Sequence, residues 1–487
     1  MSRDRPFALP GWALVALYAG LVALPLALAA LSDVPPGNRW AEAAAGAGIA
    51  GAVMMLLQLV SSGRFRLLSE RIGIDTTMGF HRWAAPLALA LTVVHVLALA
   101  GPFDPADPMR SVERLTRMLT APGLRDGVIA LALALAMVPL AIWRERLPMS
   151  YEAFRGLHLA LALAVVGFTL KHILERGTYA FETPSRVFWI ALGAGVLLPV
   201  ALVYLRHLVD LYRYGWRVAA VRQRGAKLWE VMLESATGRA LRFRAGQFGW
   251  LAAVQKRWPV WFDHPFSIAS APKDGRSLRL LITEAGDFTG RVGQLPIGRR
   301  VGLDGPHGNF TADHLEGAQA LVMIAGGVGI APMLGILEDL AEQGEARPVR
   351  LIHAARHGGA MLDADLLDPP LQALGARAIL LTDDPSDAGK PHGSQSFRTG
   401  PIGAQHLREA LDGLDPAHTG VLICGPGGLT TAAADGMHEL GVPLDLIHYE
   451  RFDYDEKQGA RKDRQILRRF RLLGALAVAT VVAFTLR

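Results

Sequence analysis

The chain has 487 residues, of which 51% are hydrophobic and only 19% are charged, whereas about a quarter of the residues in a typical soluble protein are charged. Its net charge of +6 does not indicate nucleic-acid binding, because the arginines concentrate at the ends of apolar segments. The single cysteine, Cys424, excludes an internal disulfide framework and an all-cysteine iron–sulfur cluster within the chain. The excess of apolar residues lies in the first 210 residues.

Six segments in this first part have the length and apolarity of membrane-spanning helices. Several contain proline or glycine, which membrane helices tolerate. Arginines fill the second and fourth connections and follow the sixth segment. The positive-inside rule therefore places these connections, the first residues of the chain and everything after residue 210 in the cytoplasm. The expected spans are 10–31, 42–60, 81–100, 125–143, 156–174 and 186–206.

Two of these segments carry matched pairs of histidines. His81 and His95 in the third segment have the same spacing as His158 and His172 in the fifth. Fourteen helical residues rotate by about 1400°, roughly 40° short of four full turns, and rise about 21 Å. Each pair therefore lies on one face of its helix, with one imidazole near each edge of the hydrocarbon layer. Because the two helices are parallel, His81 matches His158 on the cytoplasmic side, and the other two match on the outer side.

The histidine pattern predicts metal ligation. Imidazole is a common axial ligand of haem iron, so two such helices could hold two stacked haems. A lone membrane histidine is more often a polar contact between helices, but four at equal spacing in alternate helices favour ligation. Arg82, Arg155 and Lys171 lie near these histidines in the sequence, and we expect such cations to pair with haem propionates.

After about residue 215 the hydrophobic period changes. Short alternating segments such as Leu228–Leu233 and Leu278–Thr283, separated by glycine and proline turns, predict an antiparallel barrel. The motif HPFS at 264–267 places an aromatic ring and then a hydroxyl on an extended strand, where they could cover a flavin ring and hydrogen-bond to it. The motif GDFTGRV at 286–292 opens a short helix with Thr289, where a pyrophosphate could bind.

A strand–turn–helix pattern follows from about residue 317. Ala320–Ile324 is typical of a buried parallel strand, the turn GGVGIAP follows at 326–332, and a helix is expected over Met333–Glu342. Glycines let the backbone approach phosphates at a helix N-terminus, although this spacing is not the usual dinucleotide fingerprint. The pattern predicts a doubly wound nucleotide-binding fold. Further strands are expected at 349–354, 378–382 and 420–424, the last ending in a tight turn, CGPGG, at 424–428.

The order of these motifs resembles that of the NADPH oxidase and ferric reductase superfamily, and the second half alone resembles ferredoxin–NADP reductase modules. The resemblance covers about residues 40–455. It implies FAD on the barrel, NAD(P)H on the following module and two b-type haems in the membrane. It further implies an enzyme that passes electrons from NAD(P)H through FAD and haem to an acceptor outside, such as dioxygen, which gives superoxide, or ferric iron.

The resemblance also assigns residues by position. The haem ligands would be the four membrane histidines, and the catalytic positions would be Cys424 and Phe452. Arg356 ends the second nucleotide strand, where a cation could recognise a 2′-phosphate, so NADPH is slightly preferred over NADH; an ordinary surface arginine is the alternative. The FAD contacts would be His264, Pro265, Phe266, Ser267 and Thr289. The NAD(P)H contacts would be Gly326, Gly327, Gly329, Pro332, Cys424, Gly425 and Pro426.

The chain departs from the family after Phe452. Family chains commonly end near an aromatic residue that covers the flavin, and Glu450-Arg451-Phe452 resembles that end. Here a basic stretch and an apolar run, Leu472–Leu486, follow. The run has fifteen residues, which is short for a span. It would be a seventh helix, an interfacial anchor or a tail that binds a partner.

We therefore expect four regions: a bis-haem membrane domain at 1–210, an FAD-binding barrel at 211–314, an NAD(P)H-binding domain at 315–455 and a tail at 456–487. The expected partners are membrane lipid, NAD(P)H and dioxygen or a ferric chelate, with no nucleic acid. Two alternatives remain. The protein would be an electron-supply subunit for a separate periplasmic partner protein, or a flavin-dependent cytoplasmic reductase merely anchored by its apolar half.

Overall fold

The computed structural model describes residues 10–61, 65, 72–213, 215–253, 263–286, 288–451 and 459–487. The chain forms two compact units, Met1–Leu205 with Ile466–Arg487, and Arg206–Gln465. The first unit consists of apolar helices and the second contains two β-sheets. The predicted combination of a helical membrane bundle, an antiparallel β domain and an α/β domain is confirmed.

Seven helices precede the first sheet among the described residues. Six helical segments are long and apolar enough to cross a membrane, which confirms the six expected spans. The segments are Gly11–Ala30, Arg39–Leu57, Ile74–Ala100, Pro122–Ile142, Tyr151–Arg176 and Thr183–Leu205. The helices are α1 (Gly11–Ala30), α2 (Arg39–Leu57), α3 (Ile74–Ala100), α4 (Pro108–Thr120), α5 (Arg125–Ile142), α6 (Tyr151–Arg176) and α7 (Thr183–Arg213).

Side-chain caps mark the start of two of the spanning helices, and helix ends do not coincide with the limits of the apolar runs. The side chain of Asn38 accepts a hydrogen bond from the backbone of Ala41 and begins α2, and Ser150 begins α6 in the same way. The third span was expected to start at residue 81, but α3 begins at Ile74. Hydropathy marks only the apolar part of a helix, so His81 lies two turns inside α3 rather than at its start.

Small residues make α2 the most enclosed helix of the first unit. Ala47, Ala50 and Val53 are fully buried, and Gly51 lies against Leu91 of α3. Membrane helices associate through close backbone packing rather than through a hydrophobic driving force, so small side chains at the contact favour association. The alanine- and glycine-rich sequence of α2 therefore explains its central place among the helices.

The second unit begins with a six-stranded antiparallel sheet in the order β4-β3-β6-β1-β2-β5. An antiparallel bridge between Ile268 and Leu280 joins the end of β4 to β5, the two strands at the sheet edges, and so closes the sheet into the predicted barrel. Closure leaves no free edge for non-native pairing. The strands are β1 (Trp216–Gly225), β2 (Leu228–Ser235), β3 (Phe248–Ala253), β4 (Asp263–Ser267), β5 (Ser277–Thr283) and β6 (Arg300–His307).

A seven-stranded sheet with the order β10-β11-β9-β8-β7-β12-β13 follows. The chain starts this sheet at β7, adds β8 and β9 on one side and then places β12 on the other side. The helices and strands are β7 (Ala320–Gly326), α8 (Ile330–Glu342), β8 (Val349–Ala355), α9 (Ala364–Ala373), β9 (Arg377–Thr382), β10 (Pro391–His392), β11 (Gln395–Thr399), α10 (Ala404–Ala410), β12 (Thr419–Gly425), α11 (Gly427–Glu439) and β13 (Ile447–Arg451).

Buried ion pairs connect the barrel to the nucleotide module within the second unit. Arg279 of β5 contacts Glu230 of β2 at 2.9 Å and Glu338 of α8 at 2.5 Å. Arg224 contacts the other oxygen of Glu230 at 2.8 Å. Since Glu230 is almost fully buried, loss of either arginine would leave a buried carboxylate poorly compensated, which typically costs about 3–5 kcal/mol.

The last described helix, α12, runs from Arg461 to Thr485. It is longer than the apolar run of the sequence, because the basic stretch before that run is also helical. The boundary between the two units falls inside this helix, at Gln465–Ile466. Its apolar part belongs to the hydrophobic core of the first unit, to which it contributes Ala477, Val481 and Phe484.

Candidate functional site

Strand β4 presents an aromatic surface on the barrel. His264 and Phe266 are both half-buried, and Phe288 stacks on His264 with ring centres 4.5 Å apart and an interplanar angle of 13°. The ring centre of Phe266 lies 6.2 Å from that of Phe288. Pro265 between them is exposed. Three partly exposed rings in one group fit the apolar face of a flavin. Phe288 was not singled out from the sequence, since only the fold brings it to His264.

The two hydroxyl residues predicted for this site have different surroundings. Ser267 is buried and pairs with Phe248 across the strands β4 and β3. Thr289 is half-buried, and its Oγ1 accepts hydrogen bonds from the backbone of Ala285 at 2.8 Å and of Gly286 at 2.9 Å. Thr289 therefore holds the loop that carries Phe288, in addition to any contact with a ligand.

We expect Ser267→Ala and Thr289→Ala to weaken FAD retention. Two backbone hydrogen bonds are lost in Thr289→Ala, each worth about 1 kcal/mol, so the dissociation constant of FAD should rise by roughly tenfold or more. The measurement is flavin fluorescence after dilution. Thr289→Ser keeps the accepting oxygen and is the matched control. Equal FAD retention in Thr289→Ala and Thr289→Ser would contradict the role of the loop.

Two glycine turns meet at the carboxyl ends of the adjacent strands β7 and β12. After β7, Gly327 has φ of +55° and Gly329 lies against the carbonyl oxygen of Cys424, which a Cβ on Gly329 would approach to 2.0 Å. Gly326 packs against Gly425 at the end of β12. The turns can approach this closely because neither has a side chain at the contact. Cys424 itself is fully buried.

This place is the topological switch point of the sheet, because β8 extends the sheet on one side of β7 and β12 on the other. Helices α8 and α11 begin directly after the two turns, so their N-terminal amide groups can bind phosphate. Pro332 is in the first turn of α8 and is buried, and Pro426 precedes α11 and is exposed. Arg356 follows β8 and is exposed.

His353 is a residue of this region that the sequence analysis missed. It lies on β8, is fully buried, and its Nε2 donates a hydrogen bond of 3.2 Å to the carbonyl oxygen of Gly327. Its Nδ1 has no hydrogen-bond partner within the described part of the chain. Burial lowers the pKa of His353 to about 4. A neutral histidine therefore supports the Gly327 turn from beneath, and only the tertiary contact reveals this.

The pKa of His353 in the folded protein lies below its ordinary value near 6.5. Between these two pH values His353 binds a proton in the unfolded chain but not in the folded one. The stability of the second unit should therefore fall as the pH drops from 6.5 to about 4, by up to about 3 kcal/mol from this group. His353→Leu should be less stable at pH 7.5 but should lose less on acidification.

The midpoint of urea-induced flavin release, measured from pH 7.5 to 4.5, would report this pH dependence. The exposed His357 offers the matched control His357→Leu, whose pH dependence should follow the wild type. If His353→Leu and the wild type lose stability in parallel on acidification, the role given to His353 is wrong.

In the first unit the structure brings together histidines from α3 and α6. The ring centres of His81 and His158 are 6.3 Å apart. Two imidazoles that bind one metal ion from opposite sides, each with a bond of about 2 Å, have ring centres roughly 6 Å apart. The spacing of His81 and His158 would therefore suit two histidines that hold one iron.

Hydrogen bonds orient two of these four imidazoles. Nδ1 of His95 donates to the carbonyl oxygen of Ala44 at 2.8 Å, and Nδ1 of His81 lies 3.2 Å from Oγ of Ser61. This leaves Nε2 of both rings available for a metal ion, which is the usual arrangement when the other ring nitrogen is anchored. The Nδ1 atoms of His158 and His172 are buried and have no hydrogen-bond partner among the described residues.

Two glycines let α2 and α5 approach the outer histidines. A Cβ on Gly48 would lie 2.6 Å from Nδ1 of His95, and one on Gly127 would lie 2.9 Å from Nδ1 of His172. Lys171, which the sequence analysis placed near a haem propionate, contacts Asp126 of α5 at 2.7 Å. Phe452, expected over the flavin, lies outside the described residues. Within the described ranges no group of three or more His, Cys, Asp or Glu side chains could hold a metal ion.

Three family models match successive parts of the chain. Residues 47–169 match the ferric reductase like transmembrane component. Residues 213–309 match an FAD-binding domain, and residues 323–435 match an oxidoreductase NAD-binding domain. The first match includes His81, His95 and His158 and ends three residues before His172, and the other two matches include the aromatic surface of the barrel and both glycine turns.

Individual relatives agree with this division. The chain is 31% identical over 244 residues to ferredoxin–NADP reductase B of Sorangium cellulosum, covering 49% of this chain and 96% of that protein. It is 30% identical over 259 residues to a flavohemoprotein of Chromobacterium violaceum, covering 49% and 61%. It is 26% identical over 316 residues to dual oxidase 2 of Rattus norvegicus, covering 59% and 20%. The chain thus spans less than two thirds of the flavohemoprotein and a fifth of the dual oxidase.

The order of the three matched components agrees with the fold. Six candidate spans lie before an antiparallel barrel, and the barrel lies before a sheet whose switch point carries two glycine turns. The chain belongs to the NADPH oxidase and ferric reductase superfamily, and it is a multi-pass membrane oxidoreductase that joins a ferric reductase-like transmembrane component to FAD-binding and NAD(P)-binding domains.

Proposed function

We propose that this protein passes electrons from cytoplasmic NAD(P)H through FAD and two b-type haems to an acceptor on the extracytoplasmic side, such as dioxygen, which gives superoxide, or ferric iron. The observation that carries the proposal is the pair His81 and His158, whose separation of 6.3 Å suits two ligands of one iron. In such a chain the flavin accepts a hydride and the haems carry single electrons.

The four histidines divide the membrane site into two levels. His81 and His158 would hold the inner haem, and His95 and His172 the outer one. Their own surroundings support this role: Ala44 anchors the ring of His95, and Gly48 and Gly127 leave space where a side chain would press on the rings. The protein would thus fix the ring orientation before any metal binds, as anchored metal ligands generally do.

The second unit would bind both dinucleotides. His264, Phe266 and Phe288 would lie against the flavin ring, with Ser267 at the end of the same strand and Pro265 at its surface. Gly326, Gly327 and Gly329 would accommodate the NAD(P)H phosphates, with Pro332, Gly425 and Pro426 shaping the two turns. Cys424 would lie beside the nicotinamide and Phe452 near the flavin. Arg356 would favour NADPH, because it follows the strand next to the phosphate turn.

Basic residues support the orientation. Arg144 and Arg146 lie in the connection between α5 and α6, which is on the cytoplasmic side in this proposal. The described part of the connection between α2 and α3 lies at the cytoplasmic end of the bundle as well, because its Ser61 contacts His81, the inner histidine of α3. The NAD(P)H-binding domain would then face the compartment that supplies its substrate.

The decisive experiment is an absorbance spectrum of the purified full chain before and after addition of NADPH. We expect flavin bleaching and then a reduced low-spin haem spectrum, followed by reoxidation with dioxygen or a ferric chelate. Absence of haem absorbance would overturn the proposal and favour a flavin-dependent reductase. Haem reduction without reoxidation by either acceptor, together with a copurifying protein, would favour an electron-supply subunit for a separate periplasmic partner.

A further inference from the structure

Helix α12 contacts the membrane helices first at the level of the inner histidine pair. Phe470 packs on Phe80, with ring centres 5.1 Å apart, and on Trp83 at 6.2 Å. Phe80 directly precedes His81 on α3. One turn further along, Gly474 lies against Trp83 and Leu87. The helix therefore enters the bundle at the depth of His81.

The same helix reaches the level of the outer histidine pair near its other end. Val481 and Phe484 lie against Gly46 of α2, whose Cβ would be 3.2 Å and 3.0 Å from them. Gly46 lies between Ala44, which accepts the hydrogen bond of His95, and Gly48, which adjoins the ring of His95. Helix α12 thus covers the whole depth that separates His81 from His95.

A buried polar cluster holds the end of this helix. Arg487 contacts Glu42 at 2.7 Å and donates to the hydroxyl of Tyr179 at 3.0 Å. Tyr179 donates to Glu42 at 2.8 Å, and the backbone of Gly37 donates to the same carboxylate at 2.7 Å. The guanidinium also lies 3.6 Å from the ring centre of Phe484. Glu42 is only 6% exposed, so this charge depends on its partners.

Length and contacts together favour a crossing. From Phe470 to Thr485 the helix rises about 22 Å, which covers most of the roughly 30 Å of a hydrocarbon layer. A helix lying in the interface would contact one edge of the bundle only, whereas α12 contacts α3 near its inner histidine and α2 near its outer end. Its arginines precede residue 472 and so remain outside the apolar layer.

We propose that α12 is a further membrane-spanning helix, whose end is latched on the extracytoplasmic side by the contact of Arg487 with Glu42 and Tyr179. The assignment of this end to the extracytoplasmic side of the membrane rests on the orientation in the proposed function. The inference that α12 crosses the membrane does not. Arg461 belongs to the second unit, and Arg487 is on the side of the loop between α6 and α7, where Tyr179 lies. The apolar run is thus a span, rather than an interfacial anchor or a partner-binding tail.

Cysteine labelling tests the crossing in the full chain, because the native Cys424 is fully buried. Three single variants carry a new thiol at exposed positions: Leu486→Cys at the end of α12, Met109→Cys in α4 and Gln372→Cys in α9. A membrane-impermeant maleimide is added to intact cells and, separately, to permeabilised cells. We expect Leu486→Cys and Met109→Cys to react in intact cells, and Gln372→Cys to react only after permeabilisation.

The three positions separate the two proposals. If Leu486→Cys reacts only under the conditions in which Gln372→Cys reacts, α12 does not cross and the inference is overturned. If Gln372→Cys alone reacts in intact cells, with Leu486→Cys and Met109→Cys both protected, the crossing stands and the proposed orientation fails. Loss of haem or activity in any of the three variants does not enter this comparison, since labelling reads topology alone.

Thermal denaturation of the full chain in detergent tests the latch. Arg487→Leu should lower the Tm, because Glu42 then stays buried without its cation. The double variant Glu42→Gln/Arg487→Leu should recover most of that loss, because the buried charge is gone, and Arg487→Lys should lose less than Arg487→Leu. An unchanged Tm in Arg487→Leu, or an equal loss in the single and double variants, would overturn the latch.

Discussion

Replacement of His81 or His158 by leucine is expected to remove the proposed inner haem and to stop electron flow from flavin to the outer side. Both rings would hold the same iron, and leucine has no atom that can bind a metal ion. The haem content per flavin should therefore fall by one haem, and NAD(P)H-dependent reduction of an outside acceptor should fall by at least about 100-fold, the upper end of the loss seen when only an outer-shell partner is removed.

His95→Leu and His172→Leu should remove the outer haem in the same way. Flavin reduction by NAD(P)H should survive in all four variants, because the second unit is untouched, and this is the internal control for folding. Ser61→Ala is a milder comparison, since it removes only the partner of His81 at 3.2 Å and should weaken rather than abolish the inner site. Retention of two bis-histidine haem signals in all four variants would show that the ligand assignment is wrong.

The second large effect is expected at the nucleotide turn, for Gly329→Ala. The new Cβ would lie 2.0 Å from the carbonyl oxygen of Cys424, and a backbone atom of β12 cannot move aside as a flexible side chain can. Such overpacking costs about 2–3 kcal/mol. If the cost falls on the nucleotide-bound geometry, the KM for NADPH should rise by roughly 30- to 100-fold. Stopped-flow flavin reduction measures it, and haem content should stay unchanged.

Gly327→Val should have a smaller effect of the same kind. A Cβ at Gly327 meets nothing within 4 Å, but its φ of +55° disfavours a branched side chain. The expected rise in KM is roughly tenfold, from about 1–2 kcal/mol of backbone strain. Gly375 has φ of +57°, also with open space around it, so Gly375→Val carries the same strain away from the turn. If the two variants show the same nucleotide kinetics, strain at the phosphate turn does not explain the effect.

The sequence by itself determined the six spans in the first 210 residues, the kind of each domain and the two glycine turns. These features depend on local chemistry: apolar length for α1 to α3 and α5 to α7, alternation for strands such as Leu228–Ser235, and the conformational freedom of glycine at Gly327. The helical spacing of the histidines is local in the same sense, because it follows from the rotation of a single helix. The family resemblance rested on the order of these same local motifs.

Only the tertiary structure decided which groups meet. The sequence has no local signal that Phe288 stacks on His264, that His353 supports the Gly327 turn, or that Lys171 pairs with Asp126. The last helix is the clearest example. Hydropathy makes Leu472–Leu486 short for a span, but a buried ion pair with Glu42 and small residues such as Gly46 and Gly474 hold it against the bundle. Contacts between segments far apart in the chain depend on packing, which local patterns do not encode.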